Sequence, residues 1–258
     1  MSTITKYPII LVHGMMIRDF RFYRSFRVIE EFLRDNGANV YVSNQDAIGT
    51  VAGNAEQLRL EIEEICKKEG CDKVNIIAHS KGGLDSRYMI STLGMQGRVA
   101  SLTTLSTPHR GSRMSRRILR MPRPLAKYMC FFINLTYRIF GDKSPDLYTL
   151  ANEITDTAMV EFNEKNKNID TVFYQSFASK VADEKDFIAF LPKKISEYLE
   201  NEPTDGVVSY SSSLWGEHSG DMDCNHFRMV GLYGSKKNLE GICRFYFKVV
   251  GDLSERGF

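Results

Sequence analysis

A serine hydroxyl becomes a nucleophile only when a histidine can take its proton and a carboxylate can hold that histidine in the right tautomer. The chain has one serine placed for this. In residues 74–88, V-N-I-I-A-H-S-K-G-G-L-D-S-R-Y, the apolar run Val74 to Ala78 stops at His79-Ser80, two glycines follow, and helical spacing resumes through Leu84, Tyr88 and Met89. The spacing predicts strand, sharp turn and helix. At such a turn the Ser80 hydroxyl is lifted clear of the sheet, and Ala78, Gly82 and Gly83 are small enough for strand and helix to approach closely. Ala78 stands where the strict elbow G-x-S-x-G has its first glycine. The helix behind the serine begins with unpaired N–H groups, which favour the negative charge of acyl transfer.

The base must come from five histidines: His13, His79, His109, His218 and His226. His13 lies in the first strand turn, His79 adjoins the serine with its ring expected to point elsewhere on the strand, and His109 precedes a basic segment. In an elbow of this kind the acid and the base follow the serine in that order. His218 and His226 remain. His226, in C-N-H-F-R-M-V between a loop and an apolar run, is preferred to His218, which lies in the polar stretch W-G-E-H-S-G-D. For the acid, Asp205 in T-D-G is preferred because it precedes a short strand at Val207-Val208 and Gly206 permits a tight turn; Asp183, Asp221 and Asp223 are the alternatives. Two backbone N–H groups complete the set as oxyanion donors, those of Lys81 and of Met15 after the first strand. The Lys81 side chain is unfavourable beside a helix N-terminus, and the sequence offers no account of it beyond attraction for an anionic substrate group.

These residues need a sheet to carry them. Pro8 to Val12 reads as a buried strand, Phe22, Phe26, Ile29 and Leu33 as one face of a helix over about 20–35, Asn39 to Val42 as a strand, and Leu58, Ile62 and Ile65 as a helix ending near Gly70. The strand to Ser80, a helix over Leu84 to Leu93 and the strand Val99 to Leu105 follow. Strands alternating with helices predict a parallel sheet with ligands at the carboxyl ends of its strands. From 110 to about 165 the alternation stops: Arg110, Arg113, Arg116, Arg117, Arg120, Arg123 and Lys127 come without an acid between them, while Met114, Ile118, Met121 and Leu125 recur at helical spacing. Pro122 and Pro124 break this segment before a second apolar stretch, Tyr128 to Phe140. It reads either as a lid over the crevice or as an insertion packed permanently on the sheet with solvated arginines. Beyond it come a strand over Thr171 to Phe177, a helix around Phe187 to Leu199 and a closing helix over Leu239 to Leu253.

At 258 residues, with no internal repeat or linker, the chain is expected to form a single domain. A net charge of +2 gives no reason to expect a nucleic-acid partner. The five cysteines show no disulfide framework or zinc spacing. The apolar run Ile9 to Val12 is too short for a signal peptide, and no stretch reaches the roughly 20 apolar residues of a membrane span, so a cytoplasmic location is expected.

Taken together, P-I-I-L-V-H-G-M, A-H-S-K-G-G-L-D-S-R-Y, T-T-L-S-T-P-H-R-G-S, F-I-N-L-T-Y-R-I-F-G, V-F-Y-Q-S-F-A, T-D-G-V-V-S and N-H-F, in this order, resemble the bacterial triacylglycerol lipases of the α/β-hydrolase superfamily, especially the Pseudomonas and Burkholderia type. The resemblance implies a mostly parallel central sheet flanked by helices, Ser80, Asp205 and His226 as triad, Met15 and Lys81 as oxyanion donors, no cofactor, and a helical lid over about 110–165. Those lipases share a calcium site with an aspartate two residues after the catalytic histidine. Arg228 stands there in this chain, and a cation repels calcium, so no metal is expected. Ala78 is similar to the elbow of small Bacillus lipases. The expected activity is cleavage of lipidic carboxylic esters through an acyl-enzyme on Ser80, with a carboxylesterase for short soluble esters, an acyltransferase and a non-catalytic binding protein as alternatives. Contact of the basic, apolar lid with lipid surfaces is a further expectation.

Overall fold

The computed structural model describes residues 4–15, 25–181, 202–232 and 234–258. Its centre is a six-stranded sheet in the order β2-β1-β3-β4-β5-β6, with every neighbouring pair parallel. The strands are β1 (Ile9–Val12), β2 (Val40–Val42), β3 (Val74–His79), β4 (Val99–Leu105), β5 (Phe173–Ser179) and β6 (Glu217–Met222). The first five match the sequence expectation within a few residues. Along β1, alternate side chains serve opposite faces. Ile9 and Leu11 pack with Ile29 and Leu33 of helix α1 (Arg27–Asp35), whereas Ile10 and Val12 pack with Leu58 and Ile62 of helix α2 (Val51–Glu69). Each such side chain contributes about 1.5–3 kcal/mol when fully buried. Helices therefore cover both faces, and β1 is apolar on both sides.

Local chemistry sets the helix limits. The Thr50 hydroxyl accepts from the Gly53 N–H at 3.1 Å to open α2, which closes at Gly70 with φ 64°. Helix α3 (Lys81–Ser91) leaves β3 at Ser80. The four helices α4 (Arg113–Arg120), α5 (Arg123–Ile139), α6 (Leu147–Glu153) and α7 (Asp156–Lys165) occupy the interruption foreseen at 110–165. Pro122 precedes α5 and Pro124 lies in its first turn, where a missing N–H costs no helical bond. One further turn, α8 (Tyr210–Ser213), and the closing helix α9 (Lys236–Glu255), whose residues Tyr246, Val249 and Val250 pack beside α1 in the core, complete the described elements.

Three expectations differ or fall outside these residues. Val207-Val208 is not a strand but part of a tight loop closed by a bridge between Thr204 and Ser209. Strand β6 arises from E-H-S-G-D-M, a polar edge segment whose apolar alternation is too weak to be read in advance. Phe22 and the helix placed around Phe187 to Leu199 lie outside the described residues. Among the described residues, no helix is long and apolar enough to cross a membrane.

Candidate active site

The strand order turns at β1 and β3: the chain leaves β1 towards β2 on one side and continues from β3 towards β4 on the other. Such a switch point leaves a crevice beyond the carboxyl ends of the strands. Ser80 occupies it with φ 54° and ψ −132°, a conformation that costs a side-chain-bearing residue about 1–3 kcal/mol. The Ser80 N–H donates to the Leu105 carbonyl at 2.9 Å, and the Ser80 carbonyl accepts from the Gly83 N–H at 3.0 Å. The glycines answer to space. A Cβ at Gly82 would stand 2.5 Å from the His13 carbonyl oxygen, and one at Gly83 would stand 2.2 Å from the Thr107 hydroxyl oxygen.

His226 Nε2 lies 2.9 Å from Ser80 Oγ, and His226 Nδ1 lies 2.7 Å from Asp205 Oδ2. An ionised carboxylate can only accept, so Nδ1 carries the proton and Nε2 is left to accept from the serine. Asp205 is held by its own loop: Oδ1 accepts from the N–H groups of Val207 and Val208 at 2.9 and 2.8 Å, which leaves Oδ2 for the imidazole. Gly206, at φ 98°, makes that turn possible. The His226 N–H also donates to the Asp205 carbonyl at 3.1 Å, so the two residues are joined by backbone as well as side chain. All three side chains are buried. Of the alternatives, His218 is exposed on β6 and pairs with Asp221 at 3.0 Å, away from Ser80, while Asp183 lies outside the described residues. Nothing brings Asp223 to the Ser80–His226 chain.

Lys81 is the first residue of α3, so its N–H has no partner within the helix. Lys81 and Met15 both line the pocket that Ser80 opens into. The Lys81 ammonium does not meet a substrate anion. It is buried and donates to both oxygens of Asp85 at 2.7 and 2.9 Å, one helical turn away. Asn54 donates to Asp85 at 3.2 Å and to the Asp46 carbonyl at 2.7 Å. Burial pushes the Asp85 carboxyl up to about 6, against the pull of Lys81.

The pocket holds about 170 Å³ and is walled by Met129 and Ile133 of α5, by Leu147, Ala151 and Ile154 in and beside α6, and by Val207 and Val208 of the acid's loop. The insertion therefore covers the crevice. Two sets of contacts fix it. Buried or partly buried carboxylates tie its later part to the loop before α2: Asp46 accepts from the Lys143 and Ser144 N–H groups at 2.8 and 2.7 Å, Asp142 from Ile48 at 3.1 Å, and Glu153 from Val51 at 2.8 Å. Its two roots meet at Arg87 of α3. Arg87 donates to Asn163 Oδ1 at 2.8 Å, to the Asn166 carbonyl at 2.7 Å and to His109 Nδ1 at 3.2 Å, and its guanidinium stacks 3.5 Å from the Trp215 ring centroid. Asn163 in turn donates to the His109 carbonyl at 2.7 Å. Burial lowers Arg87 to about 9, so it still carries its charge at neutral pH.

The His79 ring does not point away from the site. Its centroid lies 4.4 Å from that of His226, and neither of its nitrogens has a hydrogen-bond partner among the described residues. Burial, then the neighbouring His226, hold it well below the usual histidine range, so it is neutral in the fold. Unfolded, it takes up a proton near pH 6.5. The unfolded state thus binds the extra proton below that pH, and stability falls on acidification. A His79→Phe variant is expected to lack this contribution. Its unfolding free energy, followed by denaturant titration from pH 7 to 5, should fall by about 2 kcal/mol less than that of the parent over that range, the difference in slope growing towards about 1.4 kcal/mol per pH unit below about 6.5; parallel profiles would contradict the assignment.

A family model described as palmitoyl protein thioesterase matches residues 8–201. The chain belongs to that family. The match includes Ser80 and ends before Asp205 and His226. This thioesterase-family chain is also similar to curated lipases, as its motifs imply. It is 29% identical over 253 residues to triacylglycerol lipase 2 of Saccharomyces cerevisiae, covering 89% of this chain and 73% of that one. To the triacylglycerol lipase of Burkholderia plantarii it is 40% identical over 113 residues, 42% of this chain and 31% of that one. The similarity thus spans about a third of the length of that bacterial relative. Among solved structures, the lipase of Staphylococcus hyicus superposes with a TM-score of 0.72 at 15% identity over 97% of this chain and 96% of that one. That likeness is one of fold, and the fold is that of the α/β-hydrolases.

Sequence reasoning passed over Asp85 and Arg87. The spacing of Lys81 and Asp85, four residues apart on a helix, was the available signal for the first. Nothing local announced the second, whose partners come from residues 109, 163, 166 and 215.

Proposed function

We propose that the chain is a carboxylic ester hydrolase in which Ser80, His226 and Asp205 act as a triad within one α/β-hydrolase domain, the helical insertion at 110–165 forming its lid. The reading is carried by the hydrogen-bonded run from Ser80 Oγ through His226 to Asp205 at the floor of an apolar pocket. Ser80 Oγ attacks the ester carbonyl while His226 Nε2 takes its proton, and the carbonyl oxygen becomes an oxyanion served by the N–H groups of Met15 and Lys81. His226 then protonates the departing alcohol, which leaves an acyl-serine. Water attacks the acyl carbon, gives a proton to His226 and releases the acid, and the proton returns to Ser80. Asp205 stabilises the imidazolium in both halves.

The apolar walls favour an acyl chain, and lipidic esters are the proposed substrates, as the names of the relatives suggest. In the covered state the pocket is small, about 170 Å³. Short acyl chains fit this space; long ones need the lid displaced. Turnover of a p-nitrophenyl ester series in solution is therefore expected to fall from short to long chains, and the fall should shrink when a lipid surface is added. Preference for long chains without any surface would contradict the lid. The insertion is proposed to meet that surface. Stoichiometric labelling by a fluorophosphonate, lost in Ser80→Ala, tests the nucleophile.

The family match favours a second reading, cleavage of an acyl thioester through the same acyl-enzyme. A thiol with a pKa near about 8.5 leaves with less help from His226 than an alcohol does. Paired turnover of oxygen and sulfur esters of one acyl chain separates the two.

A further inference from the structure

An ordinary amphipathic cover hides its apolar face against the crevice and shows a polar face to water. Helix α5 is apolar on both sides. Its inner side is occupied: Ala126 and Cys130 are buried, and Met129 and Ile133 wall the pocket. Its outer side carries Leu125, Tyr128, Phe131, Phe132, Leu135 and Ile139, exposed by 54, 64, 61, 48, 46 and 76%. At the ~100° per residue of an α-helix these six fall within an arc of about 120°. Tyr128, Phe131 and Phe132 touch one another edge to face, with centroids 4.8 and 5.5 Å apart, so the arc presents an aromatic cluster rather than scattered side chains. More than half of the exposed large apolar side chains among the described residues lie on this helix.

The charge beside it has one sign. From Arg110 to Gly141 the sequence holds eight Lys and Arg and no Asp or Glu. On α5 itself Arg123, Lys127 and Arg138 are exposed and fall along one flank of the apolar arc. An exposed apolar stripe edged by cations matches the boundary between acyl chains and anionic headgroups, where long basic side chains reach outward to phosphates.

We infer that α5 is the docking helix for the surface of an anionic lipid bilayer, its outer arc seating among the headgroups and upper acyl chains before the lid is displaced. The inference rests on the reading of the insertion as the lipid-facing part of an ester hydrolase. It adds that docking needs no lid opening, because the docking face is already exposed in the covered state.

The test uses the full chain carrying Ser80→Ala, so that no lipid is hydrolysed, and sedimentation with phosphatidylcholine vesicles with and without phosphatidylglycerol. Binding is expected to be at least tenfold tighter to the anionic vesicles and to weaken at high salt. Arg123→Gln with Arg138→Gln should weaken it about 25-fold, from about 1 kcal/mol for each charge near the surface. Phe131→Ser with Phe132→Ser should weaken it tenfold or more. In the Ser80 background both pairs should leave turnover of a soluble short ester unchanged, which shows that they fold. Equal binding to neutral vesicles would overturn the inference, as would a concentration-dependent dimer abolished by the Phe131 and Phe132 changes, which would make the face a contact between copies. Loss of ester turnover in Ser80→Ala concerns the chemistry alone and leaves the vesicle result independent of it.

Discussion

Ser80→Ala is expected to lower kcat by about 10⁵–10⁶-fold while the folded state and the apparent affinity for substrate change little. The magnitude follows from what the hydroxyl does: without it no acyl-enzyme forms, and only the oxyanion donors and the pocket remain to favour attack by water. His226→Ala should cost about as much, and the double variant scarcely more than either alone, because the two side chains act in one proton transfer and their effects do not add. Asp205→Asn is informative in a different way. An amide at this position can present its N–H to His226, which reverses the imidazole tautomer and points a proton at Ser80 Oγ; a fall of about 10⁴-fold is expected. The Val207 and Val208 N–H groups that now meet Asp205 Oδ1 enforce that orientation, because they require the amide oxygen on their side and so leave the NH₂ facing His226. Single-turnover measurements on a soluble ester across these four variants would decide the matter. Full activity in Ser80→Ala, or additive losses in the double variant, would refute the triad.

Lys81→Met should destabilise the fold by about 3–5 kcal/mol, the cost of leaving one member of a buried ion pair without its partner. Both Lys81 and Asp85 are buried beneath the elbow, and water does not reach the carboxylate to replace the lost ammonium. The effect depends on pH in a stated direction. Asp85 already sits near 6 with the lysine present, above the unfolded carboxyl at about 3.9, so the folded state binds the extra proton between those values and its stability is lost as pH rises through them. Removing Lys81 moves the Asp85 carboxyl further up. The penalty should therefore be largest above neutrality and shrink towards pH 5, where the acid is protonated. Adding Asp85→Asn removes the charge and is expected to recover most of the loss, since replacing both members of a buried pair is often close to neutral. Denaturant unfolding of the parent, the two single variants and the double variant at pH 5 and pH 8 gives the full cycle. A Lys81→Met penalty equal at both pH values would show that the ammonium serves by packing and not by charge.

The residues proposed to carry the chemistry were legible because each sits at a punctuation mark. Ser80 ends an apolar run before two glycines, Asp205 precedes a glycine, and His226 follows from the order in which such residues occur along the chain. Strands β1 to β5 announced themselves through apolar runs that any parallel sheet covered on both faces requires. Strand β6 did not, because an edge strand half open to water keeps charged and polar residues that resemble a loop. The neighbour of the nucleophile was misjudged for a related reason: alternation along a strand sends His79 away from Ser80, but the left-handed turn at Ser80 ends that alternation and the His79 ring meets His226 instead. The side of Lys81 was misread by treating its charge in isolation. Its partner lay four residues on, and a buried cation is better explained by a nearby acid than by a ligand.

The convergence of residues 109, 163 and 166 on one guanidinium bears on how such a chain can vary. Where entrance and exit of a long excursion are clipped together at a single point, the central sheet is insulated from the length of what lies between. Extending or trimming the excursion then changes the closure entropy only logarithmically, by about 0.6 kcal/mol per doubling. The stretch between His109 and Asn163 is in this sense an exchangeable cassette, whose length can change without renegotiating the framework that holds Ser80, Asp205 and His226 together.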